Sequence, residues 1–176
     1  KYLGYAQVKD CSNARKKDFW HLIRHVILTY TQEQAGFTTS INEMVLECEM
    51  KPITHAIIKK LHKDLVVISK DGKEIIADTG VKLQQKTHQL YSGTIKFEDG
   101  SYRVIDTSKA EFIKEKFKGY KIGIFYKFVA ELEMLKSVFG NELTTDLNEF
   151  NSTDKNIALQ IVSGREGISL AKADNL

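Results

Sequence analysis

Two short apolar runs near the C-terminus decide the fold: KIGIFYKF at residues 121–128 and IALQIV at residues 157–162. Apolar side chains recur at helical spacing between the runs, at Leu132, Leu135 and Phe139. The second run leads into SGREGISL, residues 163–170. A strand, a helix, a strand and a glycine-bearing polar turn predict a parallel α/β sheet. Ligands of such sheets bind beyond the carboxyl ends of the strands, where both runs end.

These runs resemble two motifs in the C-terminal motor lobe of superfamily-two helicases, and most closely the Swi/Snf-type DNA translocases. Residues 122–128 match a strand that reads like ILIFSQF and opens motif IV of the family. Residues 161–170 match motif V, which reads like STRAGGLGINL, with Gly164 and Gly167 in register. The resemblance covers roughly residues 80–176 and suggests a phage-related parent protein. It implies a RecA-like parallel sheet with flanking helices, and an N-terminal segment of helices and hairpins.

The resemblance also implies the residues of the site. Motif V of the family touches the DNA backbone at its start and the nucleotide at its end. Glycines let backbone N–H groups approach a phosphate closely, and arginine adds a bidentate donor. The resemblance therefore places Ser163, Gly164 and Arg165 on DNA, together with Lys127 after the motif IV strand. It places Gly167 and Ser169 in an ATP cleft.

The chemistry of a complete motor ATPase is missing from the sequence. A phosphate-cradling loop of the form G-x-x-x-x-G-K-[ST] is absent, and so is an Asp-Glu pair that would hold Mg²⁺ after an apolar strand. In the family the arginine finger lies in motif VI, beyond Leu176. We therefore expect a fragment with no catalytic residue of its own, inactive alone. ATP and Mg²⁺ would bind the parent hydrolase, and the partners would be DNA and the N-terminal motor lobe of the same protein.

The composition agrees with an ordinary folded domain. The chain of 176 residues is 42% hydrophobic, and its formal net charge is +3, which by itself favours nucleic acid only weakly. His21 and His25 are four residues apart without an apparent third ligand, and Cys11 and Cys48 are too few for a zinc site, so no metal is expected. Neither a signal-peptide pattern nor a membrane-length apolar run is present, and we expect a cytoplasmic location without membrane partners.

The N-terminal half predicts helices and hairpins. Apolar residues recur at helical spacing over residues 13–35. Over residues 43–50 apolar and polar residues alternate weakly, as in a strand. Pro52 suits the first turn of a second helix. Asp-Gly pairs predict two hairpins, around residues 70–73 and 98–101. No internal repeat is apparent in the sequence.

Two further helices and a division of the chain complete the prediction. One helix is expected over residues 80–91. Another begins at Ser108, with Glu111 three residues on as in a capping box. We divide the chain into an N-terminal segment, residues 1–92, and the helicase lobe, residues 93–176, which ends before motif VI.

Two other functions remain open at this point. The same lobe could serve as a non-catalytic protein-interaction module, which DNA binding and its salt dependence would distinguish from a motor lobe. An unrelated α/β enzyme could use the turn at residues 163–169 as its site. A catalytic serine in that turn would need a base within reach, and the sequence shows none.

Overall fold

The computed structural model describes residues 16–31, 34–36, 42–162 and 168–176. The chain divides into two units, Lys1–Val45 and Leu46–Leu176. The described part of the first unit holds one helix, α1 (Lys16–Ile23), followed by a turn and irregular backbone. The helix predicted over residues 13–35 is therefore wrong in its C-terminal half. The C-terminal part of its expected apolar face is exposed, with Val26 73% and Tyr30 68% accessible, and a helix without a packed apolar face is marginally stable.

The second unit contains the remaining elements. In chain order they are α2 (Pro52–Asp64), β1 (Val66–Ile68), β2 (Glu74–Ile76), α3 (Gly80–Tyr91), β3 (Thr94–Lys96), β4 (Tyr102–Val104), α4 (Ser108–Lys116), β5 (Gly123–Tyr126), α5 (Val129–Phe139), a 3₁₀ turn (Gly140–Glu142), β6 (Leu143–Thr144), α6 (Leu147–Ser152) and β7 (Asn156–Gln160). Both predicted hairpins and the helix over residues 80–91 are confirmed. The strand predicted at residues 43–50 is wrong, because no strand includes these residues. Among the described residues, no helix has the length and apolar character needed to cross a bilayer.

The two hairpins are structural copies of one another, 28 residues apart along the chain. Each begins at a residue with positive φ, Leu65 in the first and Gly93 in the second. Leu65 O accepts a bond of 2.8 Å from Ala77 N, and Gly93 O accepts one of the same length from Ile105 N. This likeness is one of backbone, and the statement that the sequence has no internal repeat stays a prediction. The two copies differ at most side chains, and they share mainly the Asp-Gly turn and the alternation of the strands.

Three strands form the parallel sheet that the sequence predicts. Their order is β5-β7-β6, and β7 is parallel to both neighbours. The connection through α5 passes over β7 to reach β6, and the connection through α6 returns to β7. Because crossovers between parallel strands are nearly always right-handed, we expect these two, which run in opposite directions, to put α5 and α6 on opposite faces of the sheet. The structure is thus mixed α/β, with a parallel sheet flanked by helices.

Two clusters of buried side chains stabilise the second unit. The first lies among α2, α3 and the two hairpins: Ile58, Leu61, Val67, Ile75, Ala77, Leu90, Ile95 and Phe97. The second lies among α4, α5 and the parallel sheet: Ala110, Ile122, Met134, Leu135, Phe139, Leu143 and Ala158. Along the chain, the second hairpin is the last element of the first cluster, and its strands also contact α5 of the second cluster. The boundary at residue 93 between an N-terminal segment and a helicase lobe stays a prediction.

The α4 helix is capped differently from the prediction. Ser108 is the first helical residue and Thr107 is the N-cap, so Ser108 and Glu111 do not form the predicted capping box. The Thr107 hydroxyl donates to Glu111 Oε1 at 2.7 Å, and the Asp106 carboxylate accepts from Ser108 N at 2.9 Å. The apolar face of this helix packs on the core, because Ala110 is fully buried and Ile113 and Phe117 pack against the second cluster.

Candidate functional site

The carboxyl ends of β5 and β7 lie side by side. Tyr126 pairs with Gln160 in the parallel ladder, and Ile161 N donates to Tyr126 O at 2.8 Å. One residue further on, the Gln160 side-chain amide donates to Lys127 O at 3.5 Å. The structure therefore brings Lys127 to the edge of the sheet at which β7 ends.

The predicted residues of that turn are described only in part. Ser163, Gly164, Arg165 and Gly167 lie outside the described residues, so their assignments to DNA and to the ATP cleft stay predictions. Ser169 is described and is exposed. Its neighbour Leu170 lies against Gly123, the first residue of β5, since a Cβ at Gly123 would be 3.3 Å from Leu170 Cδ1. Because β5 rises roughly 3.3 Å per residue, Ser169 and Lys127 lie near opposite ends of this strand.

Lys127 is exposed, and a buried carboxylate fixes its backbone. Glu131 Oε2 accepts from both Lys127 N and Phe128 N, at 2.7 Å each, and the Glu131 side chain is buried. These bonds satisfy two N–H groups at the start of α5. The Lys127 ammonium lies 5.6 Å from the centre of the Phe128 ring. Sequence reasoning missed Glu131, although an acidic residue at the third helical position is a known capping signal.

Tyr126 has a structural role at this edge. Its ring is partly buried and packs against the second core cluster. Burial raises the pKa of its hydroxyl above the usual value of about 10 for tyrosine. Tyr126 therefore stays protonated at neutral pH and holds the end of β5 in place.

A cleft of about 410 Å³ opens beside Lys127. The start of α5 forms one wall, and α3 with the second hairpin forms the other. Two lysines, Lys96 and Lys127, and two aromatic residues, Tyr102 and Phe128, line it together with amide and small side chains. No described acidic residue lines this cleft. Sequence reasoning missed it, because its walls come from residues 85–102 and 127–130, which only the fold brings together.

A larger cleft of about 720 Å³ lies at the opposite end of the sheet. It includes Lys121 and Asn156, which precede or begin β5 and β7, so it lies at their amino ends. Its charged residues are of both signs: Lys121, Glu142, Asp154, Lys155, Lys172 and Asp174. Lys121 Nζ donates to Phe150 O and Thr153 O at 2.5 Å each and so caps the end of α6. These contacts are structural, and ligands of parallel sheets bind at the other end.

The polar residues 144–146 before α6 also have a structural role. Asp146 caps α6, and its Oδ1 accepts from Glu149 N at 2.7 Å. Across residues 16–31, 34–36, 42–162 and 168–176, no three His, Cys, Asp or Glu side chains form a group that could hold a metal ion.

Comparison with protein-family models, with curated proteins and with solved structures finds no match for this chain.

Proposed function

We propose that this chain is part of the second, RecA-like lobe of an ATP-dependent DNA helicase or translocase of the Swi/Snf type. The observation that carries the proposal is the position of Lys127 beside β7. The ends of β5 and β7, which in this proposal are the motif IV strand and the strand that leads into motif V, lie on the same carboxyl edge of a parallel sheet, where Gln160 contacts Lys127 O. This is the edge at which parallel α/β sheets bind ligands.

DNA backbone is the ligand that suits Lys127. The exposed ammonium group of Lys127 is a point charge that attracts phosphate. The main chain of Lys127 is held in one geometry by its hydrogen bond to Glu131. Contacts of this type position a protein on DNA without reading the base sequence. Ser163, Gly164 and Arg165 would extend the same track along the turn. The fragment would thus follow the DNA backbone.

The second lobe would complete an ATP site only together with the first. Gly167 and Ser169 would form part of its wall, and ATP and Mg²⁺ would be held mainly by the N-terminal lobe. Exposed apolar side chains lie at the carboxyl edge of the sheet, near Lys127: Phe125, Val129, Ile161 and Val162. A partner lobe closing on this edge would cover them, which supports an interface there. The same apolar side chains would serve an interaction module that binds no DNA.

Titration of labelled duplex DNA at two salt concentrations tests the proposal. We expect weak binding that falls as salt rises, with a slope of about −0.9 per phosphate contact in a log–log plot. Lys127→Ala should weaken the binding and make the slope shallower by about 0.9, which corresponds to the loss of one phosphate contact. Lys59→Ala is the matched control, because Lys59 is an exposed lysine on α2, which does not line the cleft beside Lys127.

Two results would contradict the proposal. Binding that ignores salt, or that depends strongly on base sequence, would exclude a lobe that tracks the backbone. Equal effects of Lys127→Ala and Lys59→Ala would show that the sheet edge is not the site. Absence of DNA binding would favour the interaction module.

A further inference from the structure

We propose that the cleft beside Lys127 binds one unpaired nucleotide of a single DNA strand. The cleft, about 410 Å³, lies between the second hairpin and the start of α5. The inference rests on the proposed function for the identity of the ligand as DNA, and it adds the hairpin as a second wall of the track.

The charge of the cleft suits a phosphate. Lys96 and Lys127 both line it and are exposed. The nearby hairpin carboxylates are paired elsewhere: Glu98 lies 3.0 Å from Lys86, and Asp99 lies 3.0 Å from Lys73. Hydrogen bonding to Lys86 lowers the pKa of Glu98. Because these acids are neutralised by other lysines, the cleft keeps a net positive charge.

The aromatic rings suit a base. Tyr102 is 49% exposed on β4 and lies at one wall, and Phe128 lies at the other. The Phe128 ring is fixed by an edge contact with His88, with the ring centres 5.2 Å apart, and by the Glu131 bond to its backbone. Exposed rings beside lysines are the usual platform for single strands, because a base offers its flat face only when it is unpaired. The rings therefore favour a single strand over a duplex.

The side-chain amides of Gln85 and Gln89 are the amide groups that line the cleft. Gln89 is buried, and its Oε1 accepts from Lys96 N at 3.2 Å, so it fixes the edge of β3. Gln85 lines the same cleft and is exposed. Its amide can donate to and accept from a base edge. The size of the cleft lies within the range of small-ligand sites and suits one nucleotide.

Fluorescence anisotropy with a short labelled oligothymidylate and with a labelled duplex tests the inference on the 176-residue chain. We expect Tyr102→Ala to weaken binding of the single strand about tenfold and to leave duplex binding unchanged. Tyr102→Phe should keep the single-strand affinity, because it retains the ring. Tyr120→Ala is the matched control, since Tyr120 is 58% exposed and lines other clefts. Thermal melting would show that each variant is folded.

Four outcomes would overturn the inference. The first is a single-strand affinity that Tyr102→Ala leaves unchanged. The second is an equal loss for Tyr102→Ala and Tyr120→Ala, and the third is an equal loss of single-strand and duplex binding. The fourth is thymidine monophosphate competing as well as the oligonucleotide, because the cleft would then be a site for free nucleotides. Failure of the proposed function has a different signature, namely duplex binding that Lys127→Ala leaves unchanged.

Discussion

The carboxylate of Asp106 accepts a hydrogen bond of 2.7 Å from the hydroxyl of Thr54, and both side chains are buried, at 1% and 0% exposure. The same oxygen accepts from Lys51 N at 2.7 Å, and the other oxygen accepts from Ser108 N at 2.9 Å. One carboxylate thus joins the start of α2 to the start of α4. It ties the first core cluster to the helix that covers the second.

The stability of the fold should depend on the ionisation of Asp106. Burial opposes its charged form, but the bonds from Thr54, Ser108 and Lys51 outweigh burial and hold the pKa at about 2. A folded pKa below the unfolded value of about 3.9 contributes stability that is present above pH 4 and is lost as pH falls through 2. A shift of this size contributes about 2 to 3 kcal/mol at neutral pH. This contribution can be measured by denaturant unfolding of the native chain and of Asp106→Asn from about pH 2 to pH 7.

We expect Asp106→Asn to lower the free energy of unfolding at pH 7, and we expect the difference from the native chain to shrink below pH 4. Asp71→Asn is the control. The pKa of Asp71 is also about 2, through bonds from Ser69 and Arg103, but Asp71 is on the surface. Exposed ion pairs contribute little, so this change should have a much smaller effect. A difference for Asp106→Asn that is constant with pH would contradict the assignment.

Gly93 should tolerate no side chain. Its φ is +81°, and a Cβ there would lie 2.1 Å from the backbone oxygen of Asp106. Because backbone cannot move aside as a flexible side chain does, we expect Gly93→Ala to cost at least about 2 kcal/mol of stability. Gly100→Ala is the matched control: its φ is +84°, but no atom lies within 4 Å of the added Cβ.

Gly100→Ala should cost only the conformational strain, about 1 kcal/mol. Denaturant unfolding of both variants gives the comparison. Equal losses would mean that the close approach of Gly93 to Asp106 contributes nothing beyond the positive φ.

Glu131 should stabilise the fold and position Lys127 together. Glu131→Ala removes the acceptor for Lys127 N and Phe128 N, and we expect it to cost about 1 to 2 kcal/mol, as for loss of a helix cap. Glu131→Gln keeps one acceptor oxygen and should cost less. Unfolding measurements give the stability, and duplex titration of the folded variants gives the effect on Lys127.

If Glu131 positions Lys127, Glu131→Ala should weaken duplex binding even where the variant is fully folded, and Glu131→Gln should largely restore it. An unchanged affinity per folded molecule would show that Glu131 only caps α5.

The sequence determined the elements whose signals are local. The Asp-Gly turns predicted both hairpins, because few residues adopt the turn conformations that join adjacent strands. Helical spacing predicted α5, and the helix expected over residues 80–91 is α3. The apolar runs at residues 121–128 and 157–162 predicted the parallel sheet. The helix at residues 13–35 failed beyond Ile23, and the strand at 43–50 failed, because amphipathic spacing shows only that a segment can pack, and packing requires a partner.

Only the tertiary structure decided which distant residues meet. Asp106 reaches Thr54 across 52 residues of sequence, and the cleft beside Lys127 is built from α3, the second hairpin and the start of α5. No periodicity encodes these contacts, because they depend on the packing of whole elements around two cores. Lys127 was predicted from the sequence as a DNA contact, but its neighbours Glu131, Tyr102 and Lys96 were not. The sequence therefore determined where the strands end, and the packing decided what surrounds them.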